Sequence, residues 1–190
     1  MSRTNARIAA DSKYWLWIND QLVIFEGGLK RGPSPSGTYY DPVDIAPYLT
    51  KGSNTIAILL WHFGKDGFSH INSGKAALLF EAIAPGLEIV SDASWQCALY
   101  EAYQNTEAPF PNYRMPESNI RFDARQAITN WNRTSFEGSL PGAVCVGKAG
   151  KAPFGELVER PIPQWKNSGL LSYVSVRESL RGDTLFCRLP

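Results

Sequence analysis

His62 and His70 are the only histidines, and Asp66 lies between them. Two imidazoles and a carboxylate can ligate a metal, but this spacing matches no zinc signature. No metal is expected of them, and a polar loop is the plain alternative. Cys97, Cys145 and Cys187 are odd in number and widely spaced. They form neither a disulfide framework nor a zinc pattern, and are expected as free, buried thiols. No nucleophile elbow, phosphate loop or dinucleotide fingerprint occurs. Cleaving a glycosidic bond with inversion needs two carboxyl groups about 6.5–9.5 Å apart. Asp41, Asp44, Asp66 and Glu81 are scattered over expected turns and strand ends, so no catalytic residue is assigned.

Binding a saccharide asks for different groups. An aromatic ring stacks on the apolar face of a pyranose, and a few planar polar groups satisfy its hydroxyls. Residues 27–41 and 61–74 supply both kinds: Arg31, Tyr39, Tyr40, Asp41, Trp61, His62 and Asp66. A bound Ca²⁺ can assist such a site through carboxylate and carbonyl oxygens, but no specific motif calls for one and no cofactor is expected. The structural alternative is that Tyr40 and Trp61 close one end of the fold and Asp44 caps the turn after it.

These groups must be held by strands. Tyr14-Trp15-Leu16-Trp17-Ile18, Asn19-Asp20 and Gln21-Leu22-Val23-Ile24-Phe25 read as a β-hairpin, with a turn pair that tolerates left-handed backbone angles. Alternation places Tyr14, Leu16 and Ile18 on one face and Trp15 and Trp17 on the other. An aromatic second face is unusual for a sheet turned to water. Trp15 and Trp17 therefore lie under a covering loop or neighbouring domain, or form a sugar platform; covering is the preferred reading. Further strands are expected at 6–10, 55–61, 76–83, 87–90, 95–100, 120–124 and 143–146. Gly and Pro interrupt residues 27–37, and one helical or 3-10 turn fits within 43–49. Many short strands separated by turn signals predict an all-β antiparallel sandwich or jelly roll. Tyr14, Leu16, Ile18, Ile56, Ile58, Leu60, Leu78 and Phe80 are expected in its core. After Trp165 two more strands, 170–176 and 184–187, have no evident partner upstream. The expected division is a sandwich over residues 1–165, then a linker and the start of another β-domain over 166–190.

The chain of 190 residues carries a formal net charge of +1, with 44% apolar and 12% aromatic residues. That balance gives no electrostatic case for nucleic acid or an anionic membrane. No apolar run approaches the roughly 20 residues of a membrane span. The polar start Met1-Ser2-Arg3-Thr4-Asn5 has no apolar leader. It is expected of a piece cut from a longer protein with a Met added, and says little about location.

Several stretches occur in an order that resembles one family. They are Ile18-Asn19, Gly32-Pro33, Tyr40 with Asp44-Ile45, Leu49, and Gly52-Ser53-Asn54-Thr55-Ile56. Ser73-Gly74-Lys75, Ser94-Trp95, Phe122-Asp123-Ala124-Arg125 and Arg160-Pro161-Ile162-Pro163 follow. The pattern resembles the N-terminal accessory β-sandwich, galactose-binding-like, of bacterial α-L-rhamnosidases of glycoside hydrolase family 78. It departs at Asp20, where that family usually has Gly. The resemblance covers about the first 165 residues. It implies a non-catalytic domain of a multidomain hydrolase that removes terminal rhamnose from glycans. The catalytic acids of that family sit on a separate helical barrel, which no stretch here could build. The implied partners are a rhamnose-containing glycan and the catalytic domain of the parent chain, and the implied location is the periplasm or exterior of a bacterium. The alternative is a purely structural domain that positions the barrel and has no ligand of its own. An independent lectin is a third reading, opposed by the strands after Trp165.

Overall fold

The computed structural model describes residues 3–29, 32, 34, 36–68, 70–106 and 120–172, and the backbone of 175–179 and 185–188. Its strands are β1 (Asn5–Asp11), β2 (Lys13–Ile18), β3 (Gln21–Gly28), β4 (Gly37–Asp44), β5 (Ile56–Trp61), β6 (Ala77–Ala84), β7 (Leu87–Val90), β8 (Tyr103–Asn105), β9 (Ile120–Phe122), β10 (Glu156–Glu159), β11 (Ser175–Ser179) and β12 (Leu185–Arg188). Short 3-10 turns occupy Ala46–Tyr48 and Ala124–Gln126. The fold is all-β.

Two sheets face each other. One has the order β10-β4-β1-β6-β7 and the other β3-β2-β5. Register decides what each presents. On β1, Ala6, Ile8 and Ala10 lie opposite Ala82, Phe80 and Leu78 of β6. On β2, Tyr14, Leu16 and Ile18 lie opposite Leu60, Ile58 and Ile56 of β5. Strand alternation sends these two rows toward one another, and they form one buried cluster with Ile24, Val43 and Ile45. Of the eight expected core residues, Tyr14, Leu16, Ile18 and Phe80 are buried in it, and Ile56, Ile58, Leu60 and Leu78 pack against it partly buried. Residues 77–84 extend as a strand despite their Ala and Leu content, because both neighbours, β1 and β7, supply a ladder.

The β2–β3 turn has Asn19 and Asp20 at φ 48° and 70°, the left-handed pair that matches strand twist. Asn19 then ties this turn to the next one. Its amide donates to Asn54 Oδ1 at 2.7 Å, and its Oδ1 accepts from Thr55 N–H at 2.9 Å. Asn54 in turn donates to the Thr50 and Gly52 carbonyls.

Some expectations are corrected. Residues 95–100 and 143–146 are not strands; the first stretch makes an isolated bridge from Gln96 to Gly142, flanked by hydrogen bonds from Ala143 N–H to Trp95 O and from Cys97 N–H to Pro141 O. Trp95 instead folds inward against Phe80 and donates its indole N–H to Val90 O. The expected loop over 27–41 is shorter, since Tyr39, Tyr40 and Asp41 belong to β4. Pro42 is accommodated there because β10 pairs with β4 only as far as Tyr40, leaving an open edge beyond. The β10–β4 pairing is parallel, not antiparallel. Cys97 and Cys145 are exposed rather than buried, since they lie on this open, strandless coil. The Cys187 side chain lies outside the described residues. β11 and β12 pair with each other.

Phe80 is 2% exposed at the centre of the cluster. Phe80→Ala should cost about 3–5 kcal/mol in denaturant unfolding, whereas Ile83→Ala, on the same strand but 61% exposed, should change stability by no more than about 0.5 kcal/mol.

Candidate functional site

The two candidate loops converge on Ser12, the residue between β1 and β2. Its carbonyl accepts from Leu29 N–H at 2.7 Å, its N–H donates to Trp61 O at 3.2 Å, and its hydroxyl accepts from Phe63 N–H at 3.0 Å. Gly28 has φ +83°, and a Cβ there would stand 2.7 Å from Ser12 O. Only glycine fits that approach.

Around Ser12 lies a polar cluster. The Ser12 hydroxyl donates to Asp11 Oδ1 at 2.8 Å. His70 Nε2 lies 3.4 Å from Asp11 Oδ1 and 3.3 Å from Ser12 Oγ, and His62 Nδ1 lies 3.6 Å from Asp11 Oδ1. Ser73 N–H donates to Asp11 Oδ2 at 2.7 Å. A Ser, a His and an Asp here do not make a nucleophilic triad. A triad uses opposite ring nitrogens for the serine and the carboxylate, whereas both meet the same His70 nitrogen. Asp11 and Ser12 are also fully buried. Among the described residues no group of three or more His, Cys, Asp or Glu is arranged to hold a metal.

Asp41 is also inside. Its Oδ2 accepts from Tyr14 Oη at 2.7 Å and Gly28 N–H at 2.9 Å, and Arg160 Nε lies 2.6 Å from its Oδ1. Arg160 Nη2 donates to Gly28 O. Burial first, then the Asp41 charge and hydrogen bond, hold the Tyr14 phenol well above its ordinary value, against a smaller opposing pull from Arg160. The neutral phenol is the form that donates. Its contribution is complete below the unfolded value of about 10 and is lost as pH rises through the higher folded value.

The other candidates divide between two surfaces. Tyr40 lies on the outer face of the five-stranded sheet, packed beside Phe154, Ala9 and Ala77, with its hydroxyl 3.4 Å from Glu159. Trp61 lies on the outer face of the three-stranded sheet, so the sandwich separates these two rings. Tyr39 is half-buried. Asp66 is exposed and accepts from Asn72 N–H at 2.7 Å, which shapes the 66–72 turn. Arg31 lies outside the described residues.

Trp15 and Trp17 occupy the face opposite Leu16, both half-buried. Trp15 meets Trp61 at 6.4 Å with ring planes 22° apart, and Phe25 edge-on at 6.3 Å. Phe63 meets Trp61 edge-on at 5.1 Å. Lys13, on the same face, pairs with Glu26 at 3.4 Å. Trp17 is covered from within the chain by Trp131, edge-on at 5.2 Å. Asp20 holds that cover: Thr134 donates its N–H to Oδ1 at 2.6 Å and its hydroxyl to Oδ2 at 3.0 Å. The Thr134 N–H is the main reason the Asp20 carboxyl stays below its usual range.

This sandwich is similar to part of a GH78 rhamnosidase. The crystal structure of the GH78 family rhamnosidase of Bacillus sp. GL1 matches with a TM-score of 0.75 and 28% identity, over 93% of this chain and 18% of that one. The α-L-rhamnosidase from Dictyoglumus thermophilum matches with a TM-score of 0.63 and 20% identity, over 93% of this chain and 19% of that one, a likeness of fold. The chain thus spans less than a fifth of each. No protein-family model and no curated protein matches it. The residues that resemble the rhamnosidase pattern serve the scaffold. Asn19 and Asn54 join turns, Ser73 binds Asp11, Trp95 fills the core edge, and Arg160 meets Asp41. Asp123 caps the 3-10 turn through Arg125 N–H and grips the Arg125 side chain.

Neither the Asp11, Ser12 and His70 cluster nor the Asp41–Arg160 pair was legible as a unit. His70 lies 59 positions from Asp11 and Arg160 lies 119 from Asp41, and only tertiary structure gathers them. Replacing Asp41 with Ala strands Arg160 and should cost about 3–5 kcal/mol in chemical unfolding. Asp20→Ala should leave the core intact and raise acrylamide quenching of the Trp17–Trp131 pair. In the unsubstituted protein the same quenching should rise on acidification. A depressed folded pKa means the clip is complete above the ordinary carboxyl range and is lost as pH falls through the lowered value.

Proposed function

We propose that this chain is a non-catalytic accessory domain of a larger α-L-rhamnosidase-type glycoside hydrolase. The observation that carries the reading is the match to a GH78 rhamnosidase over 93% of this chain and only 18% of that one. Cleavage of terminal rhamnose is assigned to another part of the longer protein, which would work in the periplasm or outside a bacterial cell. The domain contributes a surface. Its partners are the catalytic domain of the same polypeptide and a rhamnose-containing glycan.

For the glycan, the side chains available are those left accessible around β5: Trp61 and His62, with Trp15 and Phe25 beside them on the same sheet face. Asp66 stands on the adjoining turn. Asp41 is engaged inside, so a saccharide contact would not use its carboxylate. A shallow surface of this kind buries few ligand atoms, and its dissociation constants should fall on the order of micromolar to millimolar. Ca²⁺ should not be required.

A purely structural role is the second reading. It is favoured by how the buried polar groups serve the fold, Asp41 with two donors and the Arg160 counter-charge, and Asp11 with Ser12, His70 and Ser73. Calorimetric titration of the chain with rhamnose and related sugars, with and without Ca²⁺, separates the two. The glycan reading expects heat that disappears in Trp61→Ala while circular dichroism is unchanged. No heat at millimolar sugar in either buffer, with the fold intact, leaves the structural role.

A further inference from the structure

We infer that residues 148–160 form a strap latched onto the sandwich by Arg160, and that the latch ties the loop end of the sandwich to the segment by which the chain leaves it. This holds whether or not the domain takes a saccharide.

The strap is anchored lightly along its length. Turns from Lys148 to Lys151 and Lys151 to Phe154 bring it to the five-stranded sheet. Phe154 is its buried side chain, seated on Ala9 and Ala77. Thr38 donates its hydroxyl to Phe154 O at 2.6 Å. Gly155, at φ +68°, passes so close to Ser36 O that a Cβ would collide with it. β10 then pairs with β4 over four residues, with Glu156 and Glu159 exposed. A four-residue parallel edge strand carrying one buried ring is a weak attachment.

Arg160 closes it. Its N–H donates to Tyr40 O at 2.9 Å, its Nε reaches Asp41, and its Nη2 donates to Gly28 O. The guanidinium contact is almost wholly buried, with the two side chains 9% and 1% exposed. Immediately afterwards Pro161 and Pro163 prevent continued pairing. Residues 161–172 contain no strand and expose Ile162, Trp165, Leu170 and Leu171. The sandwich therefore ends at Arg160.

The coupling follows from shared use of one carboxylate. Asp41 takes Tyr14 of β2, Gly28 of β3 and Arg160 of the strap. Gly28 is followed by Leu29, whose N–H holds Ser12, the point where the two loops meet. A pull on the exit segment reaches Ser12 through Arg160, Gly28 and Leu29. Arg160 acts here as a positioning residue.

Hydrogen exchange read by mass spectrometry on the 190-residue chain tests this. Arg160→Gln should speed exchange in residues 148–160 by about tenfold or more, the scale of losing charge-assisted hydrogen bonds. Residues 13–18 and 56–61 should remain slower to exchange than the strap. Arg160→Lys, which retains the charge but not the fork, should fall between. Tyr14→Phe removes one donor to Asp41 and does not touch the strap, so faster exchange in 148–160 there reports coupling through the carboxylate. It also carries the test if Arg160→Gln does not fold. Unchanged strap exchange in Tyr14→Phe, or unchanged strap exchange in Arg160→Gln, overturns the inference.

Discussion

The buried carboxylate of Asp41 is the constraint from which much of the arrangement follows. An ionised carboxylate inside a sandwich is tolerable only with several donors around it. Here two donors, Tyr14 and Gly28, and a counter-charge, Arg160, come from three separate strands or segments, so satisfying one charge constrains the positions of all three. Tyr14 must stand at the core end of β2. Gly28 must lack a side chain, and the chain must return more than a hundred residues later to deliver Arg160. A packed apolar core tolerates small shifts of its members; a hydrogen-bonded charge tolerates far less, because misalignment leaves a buried polar atom unsatisfied. The apolar cluster supplies stability, and the Asp41 network ties β4 to β2 and β3 of the facing sheet, with which it shares no ladder.

The outer face of the three-stranded sheet poses the opposite problem. Alternation in β2 forces Trp15 and Trp17 away from the core as firmly as it forces Leu16 into it. The two are resolved differently. Trp17 is closed by Trp131, held through the Asp20 carboxylate, at the position where the resembled pattern has Gly. Trp15 joins Trp61 and Phe25 in an aromatic row that no described segment closes in the same way. The two halves of one sheet face thus differ because only one lies next to the β2–β3 turn, where Asp20 can hold a cover in place.

The likeness to rhamnosidase structures is a statement about scaffold. Asn19, Asn54, Ser73, Trp95, Asp123 and Arg160 join turns, cap a 3-10 segment, or bury a charge. Residues of that kind preserve a fold while its exposed surfaces change. This explains why the order of motifs was readable while none of them named a ligand.

Local pattern determined what depends on neighbours a few residues away. Alternation in Tyr14-Trp15-Leu16-Trp17-Ile18 and in β5 gave the core rows. Asn19-Asp20 gave the hairpin, because its turn chemistry is a property of two residues. Residues 95–100 and 143–146 carry strand-like composition, yet composition cannot supply a ladder, and no named strand pairs with them. Conversely β4 runs through Gly37 and Pro42 because β1 pairs with it on one side and β10 on part of the other. Tyr40 and Trp61 are separated by the whole thickness of the sandwich, since the face each strand presents depends on the sheet it joins. The burial of Asp41 belongs to tertiary structure alone: its counter-charge lies 119 positions away, and nothing within a strand's length of Asp41 marks Arg160 as its partner.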